Sequence, residues 1–345
     1  KYFIKKNSIV TVGTWGKTTT SSLLSFILIK ANKNPSYFTG GLSLSHNTGA
    51  VAESEWSVVE GDEYQVSISD KRPKFVYYSP THLLLTSVSW DHADLYPTEE
   101  SYFKVFEDLV KIPKIIVACN DDAGVKKVLG DRKVITYGKT EDANYHYHSI
   151  KHTKDGLSFM VNEYEISSPM LGRFNVENIA GCFAMAKEIG IDAEVIIEAI
   201  KDFGGIKRRF EKRFVGDVTV LDCHAPTPEK ALSMLESIRE VYDKKIISVF
   251  EPNIGGRQRE SIAKYDNAFK NSDIVIVPRL SNLKTGEDRP MEGDELVQVI
   301  KKTHSETEYI DNDDNLVKKI FGDAKKGMIE ETIKSLSTYP HQQSQ

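Results

Sequence analysis

The chain has 345 residues, 50 acidic and 45 basic side chains and a formal charge of −5, a balance that excludes a dedicated nucleic-acid or membrane-surface binder. No apolar run approaches the ~20 residues of a membrane-spanning helix, so no membrane partner is expected. Three widely spaced cysteines, Cys119, Cys182 and Cys223, form neither a disulfide framework nor a CxxC metal motif and fit buried thiols in a reducing, cytoplasmic compartment.

In chain order, "IVTVG" reads as a strand and "TTTSSLLSFILIKA" as a helix with Leu23, Leu24, Ile27 and Leu28 on one face. "WSVVEGDEY", "HLLLTSVSW", "PKIIVACNDD" and "KVITYG" predict further buried strands, and "SYFKVFEDLVKI" has helical spacing. "ANYHYHSIKHTKDGLSFMVNEYEISS" alternates with period two around a "KDG" turn, which predicts a small antiparallel patch. The helical pair "NVENIAGCFAMAKEIG" and "DAEVIIEAIKDFGG" follows, and the Gly-Gly of "FGGIKRRFEKRF" marks a break. A second alternating series runs from "VTVLDC" through "DELVQVIKK", ahead of a polar tail, "STYPHQQSQ". Alternating strands and helices imply parallel sheets flanked by helices. The expectation is an α/β protein of two domains, residues 1–210 and 211–345.

The residues between the first strand and first helix carry the clearest chemistry. In "TVGTWGKTT", glycines let backbone N–H groups turn inward and the helix N-terminus adds positive potential, so a phosphate fits there. Lys17 would reach the β- and γ-phosphates, and the Thr18 hydroxyl would hold magnesium. Thr11 occupies the first glycine position of the strict pattern GxxxxGK[ST], so strand, loop and helix context carries the reading. Two acidic clusters follow strands: Glu60, Asp62 and Glu63, then Asp91, His92 and Asp94. Strand ends are where open α/β sheets bind ligands, and magnesium takes carboxylate and phosphate oxygens. His146 and His148 share a strand face with His152 nearby; zinc could bind them, but an exposed strand face is the preferred reading. The basic run "GGIKRRFEKRF" reads as a phosphate contact followed by a solvated strand.

"GTWGKTTT", "VVEGDEY", "SDKRPKFVYYSP", "WDHADLYP", "GRFNVENIAG", "KRRFE" and "VFEP" occur in the order found in the Mur ligases, and the chain resembles that family over roughly residues 8 to 300. "DKRPKFVYYSP" followed by "DHADLYP" is most similar to the murein peptide ligase branch, which joins a recycled tripeptide to UDP-N-acetylmuramic acid. The resemblance implies an ATP- and magnesium-dependent amide-bond ligase acting through an acyl phosphate. Its fold would be a central P-loop ATPase domain followed by a Rossmann-like C-terminal domain. Gly13, Thr14, Gly16, Lys17, Thr18 and Thr19 would cradle the phosphates, and Thr18, Glu60 and His92 would hold magnesium. Asn175 and Asn178 would face the adenine, Arg209 would contact the phosphates, and Asp222 and His224 would lie near ribose and γ-phosphate. Arg257 would hold substrate. Lys17, Glu60, His92 and Arg209 are the implied catalytic set. Partners would be a UDP-muramic acid derivative and an amino acid or peptide, with no nucleic acid, and the protein would be a monomer or weak homodimer.

Several positions depart from the family pattern. Trp15 and Phe174 stand where histidines are usual, Ser87 stands where many relatives have asparagine, and "DCHAPTPE" is irregular. The phosphate loop begins close to the first residue, so the UDP-binding domain of the murein-building members is expected to be missing; the "FGDAKKGMIEETIKSL" stretch skips an expected strand and glycine-rich loop. An alanine-adding ligase, a polyglutamate or folylpolyglutamate ligase, and a non-catalytic nucleotide-binding relative are the alternatives.

Overall fold

The computed structural model describes residues 3–92, 95–215, 218–281 and 289–322. The chain divides after Phe210 into two compact units. In the first, β1 (Asn7–Val12) leads into α1 (Lys17–Lys30), followed by β2 (Ser36–Phe38), β3 (Gly49–Ala50), β4 (Trp56–Glu60) and β5 (His82–Leu85). Next come α2 (Glu99–Leu109), β6 (Ile115–Cys119), α3 (Ala123–Leu129), β7 (Ile135–Gly138), β8 (Tyr145–Thr153), β9 (Gly156–Val161) and β10 (Tyr164–Ser168). The unit closes with α4 (Phe174–Glu188) and α5 (Ala193–Asp202).

These strands form one sheet in the order β10-β9-β8-β7-β6-β5-β1-β4-β2-β3. Pairing is parallel from β8 through β2 and antiparallel among β8, β9 and β10 and between β2 and β3. The central strands are apolar on both faces because helices cover both. Ile9, Val58, Leu84 and Val117 join one core with side chains of α1, α4 and α5, whereas Val10, Val12, Leu83 and Leu85 join another with Tyr102, Phe103 and Phe106 of α2.

Every residue of α1 from Thr18 to Leu28 is buried, so its hydroxyls must find partners inside the protein. Some do so by bonding back to their own helix: Thr20 donates to the Gly16 carbonyl at 3.0 Å and Ser25 to the Ser21 carbonyl at 2.7 Å, whereas Ser22 pairs with His46. The antiparallel patch appears where the period-two pattern places it, with Thr153 paired to Gly156 across the "KDG" turn.

The second unit contains the antiparallel pair β11 (Glu211–Val215) and β12 (Thr219–Asp222), then α6 (Pro228–Val241). β13 (Ile247–Val249), β14 (Ile274–Pro278) and β15 (Thr307–Ile310) form a parallel sheet, with α7 (Gly293–Ile300) before β15 and α8 (Asp313–Gly322) after it. Leu235, Phe250, Phe269, Val275, Val277, Leu296 and Ile300 fill its core.

Local differences from the sequence reading have physical causes. "HLLLTSVSW" is strand only over His82–Leu85, because the polar residues from Thr86 onward bond to the glycine loop instead of to a neighbouring strand. Within the second alternating series, Arg259–Tyr265 is a 3-10 helix. Cys119 and Cys182 are buried as expected, but Cys223 is half-buried. Asp94, the "AKKGMIEETIKSL" stretch and the polar tail lie outside the described residues.

Candidate active site

The loop between β1 and α1 is shaped by two glycines in conformations that side chains resist: Gly13 has φ +140° and Gly16 φ +85°. A Cβ at Gly13 would stand 2.2 Å from Thr86 Oγ1 and 2.7 Å from the Ser87 carbonyl oxygen; at Gly16 it would stand 2.4 Å from Asn178 Oδ1. The residues after β5 brace the loop from below. Thr14 N–H donates to the Ser87 carbonyl at 3.0 Å, Trp15 N–H to Ser87 Oγ at 2.9 Å, and the Thr14 hydroxyl to the Ser89 carbonyl at 2.9 Å. Gly16 caps α1 without a side-chain acceptor, and the first turn carries no acidic residue. Its N–H groups and the positive end of the helix therefore face the loop uncompensated, the electrostatics of an anion site.

Lys17 folds back over this loop. Its ammonium donates to the Gly13 carbonyl at 2.6 Å and to Glu63 at 3.0 Å. Glu63 is 2% exposed and stands within 3.2 Å of His92 Nε2, so one carboxylate joins the lysine and the histidine. Burial pushes the Glu63 carboxyl up, but the hydrogen bond from His92 and the charge of Lys17 outweigh it and leave its pKa below the ordinary value. The same hydrogen bond raises His92 above an ordinary imidazole, against the opposing effect of burial. His92 has φ +56° and packs against the Tyr64 ring at 4.3 Å, and Tyr96 anchors the Glu63 carbonyl.

A second polar group lies on the next residue of the helix. The Thr18 hydroxyl donates to Glu60 Oε1 at 3.0 Å and accepts from Arg209 Nη2 at 3.2 Å. Glu60 also accepts from the Gly40 N–H at 2.7 Å and from Ser21 at 3.4 Å. Thr18 and Thr19 are both buried in the first turn of α1. Hydroxyl and carboxylate oxygens beside an anion-binding loop are the donor set a magnesium ion prefers.

On α4, Asn178 lies against Gly16 and donates to Asn175 Oδ1 at 3.1 Å, while Asn175 donates to the Leu171 carbonyl at 2.7 Å. The structure thus gathers Gly13, Thr14, Gly16, Lys17, Thr18, Thr19, Glu60, His92, Asn175, Asn178 and Arg209 in the first unit. Three expected residues belong to the second. Asp222 pairs with Arg213 at 3.2 Å, His224 is exposed just beyond β12, and Arg257 is 2% exposed with Nε donating to the Met291 carbonyl at 3.0 Å and Nη1 to Ser281 at 2.8 Å.

The roles of Glu63 and of the Thr86–Ser89 brace are not assigned by the sequence reading, although Glu63 and Ser87 are both named in it. Glu63 was one of three acidic residues after a strand, and only its burial separates it from Asp62, which pairs with Lys74 at 2.7 Å. The run of Ser and Thr after "HLLL" was a loop signal that could have been used.

Residues 10–186 match the model of the Mur ligase middle domain and residues 208–329 that of the Mur ligase glutamate ligase domain. The UDP-N-acetylmuramate–L-alanine ligase of Caulobacter sp. strain K31 is 30% identical over 86% of this chain, which spans only 65% of that relative's length. The crystal structure of UDP-N-acetylmuramate-alanine ligase from Thermotoga maritima superposes with a TM-score of 0.73 at 24% identity, covering 91% of this chain and 69% of that one. That of UDP-N-acetylmuramate:L-alanyl-gamma-D-glutamyl-meso-diaminopimelate ligase from Neisseria meningitides gives 0.53 at 26% identity, over 59% and 68%.

Proposed function

The chain belongs to the Mur ligases, and from that premise we propose that it joins an L-alanyl amine to the carboxylate of a UDP-muramic acid derivative at the expense of ATP. Both amine partners named by the relatives, L-alanine and the tripeptide that begins with L-alanine, present the same amino group. The observation that carries the reading is the convergence of Lys17, Thr18, Glu60, Glu63 and His92 on a loop of positive-φ glycines at an uncapped helix N-terminus.

In this mechanism the acceptor carboxylate attacks the γ-phosphorus, leaving ADP and an acyl phosphate. The amine then attacks the acyl carbon, and inorganic phosphate departs from the tetrahedral intermediate. The charge moved is that of a phosphoryl group, so the task for the protein is positioning and electrostatic stabilisation. The loop amides of Gly13 through Thr19 and the Lys17 ammonium bind the phosphates, and Arg209 supplies a second cation beside Thr18. Before nucleotide arrives, Glu63 holds the Lys17 ammonium and the His92 ring, and nucleotide must draw the lysine away from it. Thr18, Glu60 and His92 would hold a magnesium ion, which would supply charge neutralisation on the phosphate oxygens. Asn175 and Asn178 set the adenine end. In the second unit, the resemblance implies that Asp222 and His224 would serve the ribose and γ-phosphate and that Arg257 would hold substrate. No protein nucleophile is needed.

Phosphate release from magnesium ATP tests this. Release should rise when UDP-N-acetylmuramic acid is combined with L-alanine or with the tripeptide, and should vanish in Lys17→Ala while the circular dichroism spectrum is kept. Release indifferent to both amines overturns the ligase reading; calorimetric ATP binding without stimulated release would mark a nucleotide-binding relative.

A further inference from the structure

A separate polar cluster sits at the carboxyl ends of β6 and β7, under the first turn of α4. Cys119 ends β6, Asp121 follows it by two residues, and Glu177 projects from α4. The Cys119 sulfur and one carboxylate oxygen from each acid lie within 4.8 Å of one another. Cys119 is 1% exposed, and the two acids are half-buried. Two carboxylates and a thiol this close cannot all be charged without a cation among them. Burial, then the charge of Asp121, raise Glu177 to about 7 against the opposing pull of Lys139, and burial lifts the Cys119 thiol far above its ordinary range. Asp121 Oδ2 is already engaged by the Tyr147 hydroxyl at 2.9 Å and the Lys139 N–H at 2.9 Å, which fixes the carboxylate in place.

A second observation comes from Tyr137. Its residue is fully buried, yet its hydroxyl has no hydrogen-bond partner. Tyr137 is the register partner of Cys119, so the two side chains rise from the same face of the sheet. The hydroxyl reaches α4 at Gly181, one turn beyond Glu177. A buried hydroxyl left unsatisfied costs roughly 1–3 kcal/mol, so this one favours a polar neighbour.

We infer that Cys119 Sγ with one carboxylate oxygen each from Asp121 and Glu177 forms a tetrahedral site for a single thiophilic divalent cation of the zinc class, its fourth position taken by water. A thiolate donor selects against magnesium and calcium, which take oxygen alone, and three protein ligands plus water is a stable zinc arrangement. The water supplies the partner that the Tyr137 hydroxyl lacks. Binding expels the Cys119 proton and any proton held by Glu177, so affinity rises with pH. The ion ties the end of β6 to the turn of α4 that carries Asn175 and Asn178.

The test uses the full chain, reduced, stripped with a chelator and titrated with cobalt(II) alone at pH 7.5. The expected result is one equivalent bound with a sulfur-to-cobalt charge-transfer band that zinc abolishes on displacement. Cobalt taken up beside the phosphate loop has oxygen and nitrogen donors and contributes no such band. Cys119→Ala should remove the band, Cys223→Ala should keep it, and the near-isosteric Glu177→Gln should weaken binding by at least about tenfold. Dichroism confirms that each variant is folded. Absence of the band from the parent chain, its survival in Cys119→Ala, or its loss in Cys223→Ala overturns the site.

Discussion

Lys17 Nζ stands 3.0 Å from the carboxylate of Glu63, and this ion pair is nearly closed to water, with side-chain exposures of 15% and 2%. An ammonium that must serve a triphosphate is therefore already engaged, and nucleotide has to draw it away. Glu63→Gln keeps the shape and removes the competing charge. ATP should then bind several-fold tighter, about 1 kcal/mol, as read by calorimetry at fixed magnesium. Weaker binding in this variant would mean that Glu63 presents Lys17 to the phosphates instead of holding it back.

The two loop glycines should separate in their effects. Gly13→Ala drives a Cβ into the backbone of Ser87, which cannot yield without moving the segment after β5. Gly16→Ala meets mainly the Asn178 side-chain oxygen, which can rotate aside. Both carry the strain of a positive φ, so both lose stability, Gly13→Ala by about 2 kcal/mol or more and by several degrees in Tm. Gly16→Ala should lose less stability but displace Asn178, and ATP affinity should drop by at least about tenfold, or 1.4 kcal/mol. Equal Tm losses with unchanged ATP affinity would separate Asn178 from the nucleotide.

The phosphate-loop segment leaves its mark in the sequence. The strand–loop–helix around Lys17 could be read because glycine freedom, a lysine and a buried helix each leave a local mark. Glu60 and His92 stand out from their acidic clusters only through the family resemblance, because residue type and spacing alone do not separate them from their neighbours. Glu63 could not be separated from Asp62, since the distinction is burial beneath Tyr96 and His92, a tertiary fact. The Cys119–Asp121–Glu177 cluster was equally hidden: Glu177 lies 56 positions beyond Asp121, and only the packing of α4 on β6 brings them together. In α1, the hydroxyl-rich first half is buried, and Thr20 and Ser21 bond back to the helix while Thr18 reaches Glu60 and Ser22 contacts His46.

Acid should weaken the second unit through Glu295. Its carboxylate is held down to about 2, first by Arg289 at 2.7 Å and then by the Glu292 N–H at 2.9 Å. A carboxyl with a depressed folded pKa contributes stability that is complete above its ordinary value of 4.5 and is lost as pH falls toward 2. The pair is partly exposed, so the contribution is about 0.5–1 kcal/mol after screening. Urea midpoints between pH 5 and 2.5, followed by far-ultraviolet dichroism, should decline less steeply in Glu295→Gln. An identical slope would show that the ion pair adds nothing in solution.

Thr18 gives the sharpest handle on the metal. Its hydroxyl is shared between Glu60 and Arg209, and no other part of the side chain has a polar role. Thr18→Val preserves size and branching and so should leave the buried first turn of α1 intact. It removes one oxygen donor from the magnesium set and releases Arg209 from its contact. The magnesium concentration giving half-maximal phosphate release should rise by about tenfold or more, whereas ATP binding without magnesium should change little. Chelation with EDTA should stop release in both proteins, and excess magnesium should restore much of the rate in the variant. A loss of metal-free ATP binding in Thr18→Val would instead assign the hydroxyl to the phosphates. A magnesium dependence that matches the parent would remove Thr18 from the metal site and leave Glu60 and His92 to hold it.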